Sequence, residues 1–166
     1  MEHRLKKQPI WLWRYLENER NYPGLNFTAK GEACVLLKQL TEKLAAEGGG
    51  TRLIGLSALD PKDEAKVSGG LRFVAFEKLR LTISPRSADL QHMWARYAGS
   101  VVTLEFTLEF LPRFWEGITD VASGHRDWSI APPEGRRARG VAVGAHDAES
   151  LGLTFWPCFG HLCEVP

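Results

Sequence analysis

Two thiols and one imidazole lie close together near the end of this 166-residue chain, at Cys158, His161 and Cys163. Thiolate sulfur and imidazole nitrogen are ligands that zinc prefers in proteins. The run has no CxxC pair, and a fourth ligand would have to come from Cys34 or His125. Because cysteine also serves commonly as a small buried residue, we predict no bound metal and no cofactor, with a zinc site at the terminal run as the alternative.

A second polar cluster, Gly124-His125-Arg126-Asp127-Trp128, follows the predicted end of a helix. A loop in this position can present His125, Asp127 and Trp128 to a ligand or a partner from a rigid base. The same residues also suit a structural turn, in which Gly124 takes the left-handed conformation that ends a helix, the aspartate bonds local backbone and the tryptophan covers the core. The sequence leaves both interpretations open.

Three arginines, Arg136, Arg137 and Arg139, lie in a segment at 132–148 that is rich in Pro and Gly and has no regular period. Guanidinium groups can hold a phosphate, a carboxylate or an acidic partner surface through paired hydrogen bonds. The segment also fits a solvated loop. No GxxxxGK[ST] or GxGxxG element accompanies it, so a nucleotide-dependent enzyme is disfavoured.

Motifs for catalysis are weak throughout the chain. The run Gly55-Leu56-Ser57-Ala58-Leu59 lacks the second glycine of a nucleophile elbow, and there is no HExxH. Glu105 and Glu109 straddle a predicted change from strand to helix, so they are not expected to form an acid–base pair. We predict no catalytic residue, although a site assembled from scattered residues would leave no such motif.

The chain is rich in tryptophan, a residue type enriched at binding hot spots and in ligand pockets. Most of these side chains are expected in the core, which leaves one or two for a partner. The six tryptophans are Trp11, Trp13, Trp94, Trp115, Trp128 and Trp156.

The sequence predicts two helices that would help to position these groups. Apolar residues recur at three- and four-residue spacing over 31–47, and three glycines end the pattern. A similar stripe over 110–123 ends at Gly124. Thr107 is a candidate N-cap for this second helix, but Pro112 favours a later start, so its boundary stays open.

The other apolar segments are short and β-like, and they do not alternate with the helices as in a doubly wound fold. We therefore predict an α+β fold with a mainly antiparallel sheet and two main helices packed on one face. The segment at 10–16 is apolar on both faces, which favours a strand covered on both sides over a short helix. The predicted strands cover 10–16, 25–28, 52–59, 71–76, 79–83, 102–106 and 151–156.

Composition predicts one cytoplasmic domain over 1–166, with residues 1–8 as a disordered basic terminus. The chain is 44% hydrophobic and 25% charged, with a formal net charge of +1, which gives nucleic-acid binding no support. No apolar run approaches the roughly 20 residues that span a bilayer, so no membrane contact is predicted. Three cysteines are too few for a disulfide framework.

Three segments in order, Tyr22–Thr28, Gly124–Ile130 and Leu153–Trp156, together resemble a pattern in small bacterial domains of unassigned function. Those domains share a G-x-x-D-[YW]-S-I … L-x-F-W signature near their C-terminus. The resemblance implies a shared fold and brings no activity.

These observations favour a non-catalytic protein-binding module, such as an immunity- or antitoxin-like partner in a bacterial cytoplasm. Self-association into a homodimer through an uncovered sheet face or edge is a second expectation. The alternative is a domain that binds a small molecule, an anion or a metal, with or without enzymatic activity, around His125, Asp127 and the terminal Cys/His run.

Overall fold

A computed structural model of the protein describes residues 6–17, 24–59, 70–85, 93–124, 128–130 and 153–155. These residues form two five-stranded sheets and two α-helices. Sheet 1 has the strand order β1 (Lys7–Gln8), β4 (Gly50–Leu56), β6 (Lys78–Ser84), β8 (Val101–Thr107) and β7 (Met93–Ala98). Sheet 2 has the order β5 (Phe73–Ala75), β2 (Ile10–Tyr15), β3 (Leu25–Ala29), β10 (Leu153–Phe155) and β9 (Trp128–Ile130). The helices are α1 (Gly31–Ala46) and α2 (Leu111–Ser123), the latter preceded by a 3-10 turn at Leu108–Phe110.

The predicted α+β class with two main helices is confirmed. Both sheets are mixed: among the described strands, five neighbouring pairs are antiparallel and three are parallel. The parallel pairs join β1 to β4, β6 to β8 and β3 to β10. Segments far apart in the chain pair in this way, which no local pattern in the sequence indicates.

Strand β2 is covered on both faces, as its apolar pattern predicts. Ile10 and Leu12 enter the large core shared by the helices and both sheets. Trp11, Trp13 and Tyr15 point the other way, into a smaller cluster that includes Leu59. The period-two alternation of a strand therefore separates two apolar clusters.

Helix α1 ends where the glycines begin. Gly49 donates its backbone N–H to the Leu44 carbonyl oxygen at 2.8 Å, and its φ of +116° is a conformation that L side chains rarely adopt. A Cβ built on Gly49 would lie 2.8 Å from the Ile83 carbonyl oxygen in β6. This glycine thus lets the chain turn from α1 into β4 directly against the neighbouring strand.

The start of α2 differs from the capped start that Thr107 suggested. A 3-10 turn comes between β8 and the helix, and Thr107 directly precedes this turn with an extended backbone but makes no side-chain capping bond. Pro112 then falls within the first turn of α2, where its missing N–H costs no helical hydrogen bond. At the other end Gly124 has φ +68° and forms the expected left-handed C-cap.

The two helices pack against each other through a polar contact within an apolar surface. Trp115 of α2 donates its indole N–H to the hydroxyl oxygen of Thr41 on α1 at 2.8 Å. The Thr41 hydroxyl in turn lies 3.0 Å from the Leu37 carbonyl oxygen and can donate to it. Helix α1 also contacts β4 and β6, and α2 contacts β3 and β10, so the helices link the two sheets around one core.

Two segments differ from the sequence-based predictions. The prediction of a disordered terminus over 1–8 is wrong for Lys7 and Gln8, which form β1, and the Gln8 carbonyl accepts a 2.8 Å bond from the Ser57 hydroxyl. Residues 1–5 lie outside the described residues. Backbone pairing needs no apolar side chains, which is why composition misled. Strand β7 was not predicted, although Met93 and Ala95 alternate inward against Trp94 and Arg96. No helix in the described part of the chain is long and apolar enough to cross a membrane.

Candidate functional site

Most of the site residues predicted from the sequence lie outside the described residues. Their roles as ligand, partner or metal contacts stay predictions. They are His125, Asp127, Arg136, Arg137, Arg139, Cys158, His161 and Cys163. Trp128 is described in its backbone only: it opens β9, where it pairs with Phe155 of β10, and its role as a ligand or partner contact stays a prediction.

Cys34, one of the two residues considered as a fourth zinc ligand, is buried on α1 within the main core. Burial raises the pKa of its thiol from 9.0 to about 11, because the thiolate would lose its hydration. A metal ligand or nucleophile must be the thiolate, so this environment favours a packing role. Within the described ranges, no three His, Cys, Asp or Glu residues are grouped to hold a metal ion.

The tryptophans with described side chains divide into two kinds. Trp11 and Trp13 are buried in the smaller cluster. Trp115 is half-buried and bonded to Thr41, and Trp94 is half-buried on the side of sheet 1 that faces away from the core. Trp94 therefore places an aromatic side chain on the surface of sheet 1 that faces away from the core.

That surface results from alternation on four adjacent strands. The inward side chains are apolar and buried, and they are Ile54, Leu56, Leu79, Leu81, Ile83, Met93, Ala95, Val102, Leu104 and Phe106. The outward side chains mix threonine, basic and large apolar types. We define the outer face of sheet 1 by Thr51, Leu53, Lys78, Arg80, Thr82, Trp94, Arg96, Thr103 and Glu105.

Strand register arranges the outer face in rows. One row runs from Leu53 through Arg80 and Thr103 to Arg96. The next row runs from Thr51 through Thr82 and Glu105 to Trp94. Helices α1 and α2 lie on the opposite side of sheet 1, where Phe114 of α2 contacts Phe106 of β8. Ile10 and Leu12 of β2 join the same core. The rows are thus held by a rigid scaffold without being part of the core.

Two polar contacts organise the outer face. The hydroxyl oxygens of Thr51 and Thr82 are 3.0 Å apart and share a hydrogen bond. Arg96 donates from Nη2 to a carboxylate oxygen of Glu105 at 3.2 Å. Lys78 and Arg80 are both exposed, and neither makes an ion pair with another described residue. With three cations against one carboxylate, the outer face is basic although the chain as a whole is nearly neutral.

A second surface feature is a groove along α2, with a volume of about 410 Å³. Its described lining comes from one side of this helix, at Pro112, Trp115, Glu116, Thr119 and Asp120. A single helical wall does not enclose a small molecule, whereas ligand pockets cover most of their ligand's surface. The groove is therefore a weaker candidate than the outer face.

No protein-family model, curated protein or solved structure matches this chain. The resemblance to small bacterial domains with the C-terminal signature stays a prediction. Among the described residues, the outer face of sheet 1 is the strongest candidate for a functional site.

Proposed function

We propose that this protein is a non-catalytic protein-binding module whose partner docks on the outer face of sheet 1. The observation that carries the proposal is the row Leu53–Arg80–Thr103–Arg96, in which a 37% exposed leucine lies beside basic and hydroxyl side chains on a four-stranded scaffold. Arginine and tryptophan are enriched at interface hot spots. Covering an exposed apolar side chain with a partner lowers the free energy of the complex.

The groups on the outer face suit binding better than catalysis. Its carboxylate, on Glu105, is already engaged by Arg96, and the Thr51 and Thr82 hydroxyls bond each other. No histidine or cysteine stands among its defining residues. A general base or activated nucleophile would need one of these groups free and poised against a second.

The size of the outer face sets its contribution to an interface. Four strands about 4.8 Å apart, three of seven residues and one of six at about 3.3 Å per residue, cover a plane of roughly 430 Å². A standard stable interface buries about 800 Å² on each partner. The outer face would thus be the centre of a contact that extends onto flanking residues.

A steric block at the centre of the outer face tests this function. We expect Thr103→Arg to lower recovery of the native partner about tenfold or more in affinity capture from the source cell's lysate, because one large side chain at the centre prevents close packing. Thr119→Arg is the matched control, since it makes the same change in the α2 groove. Both variants are first compared with the wild type by thermal melting.

The proposal fails in either of two ways. Equal recovery by Thr103→Arg and the wild type would mean that the partner docks elsewhere. Loss of the partner in Thr119→Arg alone would assign binding to the α2 groove instead.

A further inference from the structure

The charges on the outer face of sheet 1 are unbalanced at one place. Arg96 and Glu105 neutralise each other, which leaves Lys78 and Arg80 on β6. Residues two apart on a strand point to the same face about 6.7 Å from one another. We infer that the partner presents a pair of carboxylates on a protein surface to Lys78 and Arg80; this inference rests on the function proposed above.

The neighbours of the two cations leave room for a partner. Lys78 is flanked across the sheet by Gly55 and Val101, and Arg80 by Leu53 and Thr103. These side chains are short or apolar, so a docked partner displaces water from around the charges. Charge-assisted hydrogen bonds, and above all the paired bonds of a guanidinium to a carboxylate, gain strength when they are shielded from water.

The spacing of the cations fits an ordinary acidic protein surface. Carboxylates at alternate positions of a strand are about 6.7 Å apart, and carboxylates three or four residues apart on a helix are about 5–6 Å apart at Cβ. Leu53, which pairs with Arg80 from β4, would contact an apolar side chain next to such a pair, and Trp94 on β7 lies two strands away from β6. The outer face thus offers charge and apolar contact together, as interface centres do.

Two other occupants fit less well. A second copy in a twofold dimer would set the basic patch against itself, and facing like charges oppose association. Nucleic acid is held by a track of cations along its phosphates. Here two cations that form no ion pair with another described residue adjoin a leucine and a carboxylate. An acidic protein surface is the occupant that both the charges and the apolar residues favour.

A charge reversal tests the inference. The probe is a fluorescent random copolymer of glutamate and tyrosine, titrated with the full chain and followed by anisotropy. We expect Lys78→Glu/Arg80→Glu to raise the Kd about tenfold or more, because the variant replaces attraction by repulsion. Lys43→Glu/Arg113→Glu makes the same change at exposed helix positions and should stay within about twofold of the wild type.

Three results would overturn the inference. One is an equal loss of affinity in both double variants, which would indicate attraction to net charge alone. Another is tighter binding of a 20-nucleotide oligothymidylate that Lys78→Glu/Arg80→Glu abolishes, which would assign the patch to nucleic acid. The third is a wild-type dimer in light scattering that this variant converts to a monomer.

Capture of the native partner distinguishes this inference from the proposed function. If Thr103→Arg loses the partner but Lys78→Glu/Arg80→Glu retains it, the outer face binds protein without using these cations, and only the acidic partner is rejected. If both variants retain the partner, the proposed function is rejected as well. Loss of the partner in both variants, with retention by Lys43→Glu/Arg113→Glu, supports both proposals.

Discussion

Thr107 carries a buried hydroxyl that makes no hydrogen bond within the described part of the chain. It occupies the junction of β8 with the 3-10 turn, where its sequence context suggested a helix cap. A buried polar group without a partner loses its bonds to water and gains nothing in return. The residue type indicated a cap, but the Thr107 hydroxyl makes no capping bond at this junction.

We expect Thr107→Val to raise the free energy of unfolding by about 1 kcal/mol, since valine keeps the shape and removes the unsatisfied hydroxyl. Thr41→Val is the contrasting variant, because the Thr41 hydroxyl oxygen accepts the Trp115 indole N–H. It should lower the free energy of unfolding by about 1–2 kcal/mol. Urea denaturation measures both, and a loss in Thr107→Val equal to that in Thr41→Val would contradict this account.

Burial of the Cys34 thiol makes the free energy of unfolding depend on pH. Its pKa is raised to about 11 in the folded protein, so between pH 9 and 11 the folded state holds a proton that the unfolded state releases. The stability that this thiol contributes is complete below its unfolded pKa and is lost as pH rises through its folded pKa.

The measurement compares wild type with Cys34→Ala, in urea under reducing conditions at several pH values. We expect the gap between their free energies of unfolding to shift by up to about 2 kcal/mol from pH 8 to pH 11, to the disadvantage of the wild type. Other groups that titrate in this range cancel in the comparison. A gap independent of pH would show that the thiol is not shielded from water.

At the scale of the element, three glycines form the junction between α1 and β4. Gly48, Gly49 and Gly50 all have positive φ, but only at Gly49 would a Cβ meet β6. The glycine run predicted where the helix ends. Which glycine contacts β6 depends on the position of that strand, which no local pattern specifies.

We expect Gly49→Ala to lower the free energy of unfolding by about 2 kcal/mol or more, since its Cβ would meet the Ile83 backbone oxygen in a strained conformation. Gly48→Ala is the control, because a Cβ there meets nothing within 4 Å and only the left-handed cost of about 1 kcal/mol applies. Thermal or urea unfolding distinguishes them. Equal effects would indicate that the contact with β6 relaxes freely.

At the scale of the whole molecule, a single apolar core contains side chains from both helices and both sheets. Phe114 of α2 lies at its centre, with its ring centroid 4.6 Å from that of Phe106 in β8. Elements that share one core are expected to unfold together. The one-domain prediction over 1–166 stays a prediction.

We therefore expect one unfolding transition, with the same midpoint by tryptophan fluorescence and by far-ultraviolet circular dichroism. Phe114→Ala should lower the free energy of unfolding by about 3–5 kcal/mol and shift both midpoints together. If the two probes separated, the sheets would be independent folding units and the one-domain prediction would be wrong.

Sequence alone determined the local elements of this protein: the two helices from their three- and four-residue spacing, most strands from alternation, and β2 as a strand with two apolar faces. Those features depend on interactions between near neighbours in the chain, which the residue order contains. Only the tertiary structure decided that β1 joins a sheet and that β6, β8 and β7 lie side by side. The outer face therefore had no sequence motif, because Leu53, Arg80 and Thr103 become neighbours only through pairing between strands that are not consecutive in the chain. Arg96 joins them through the pairing of β7 with β8.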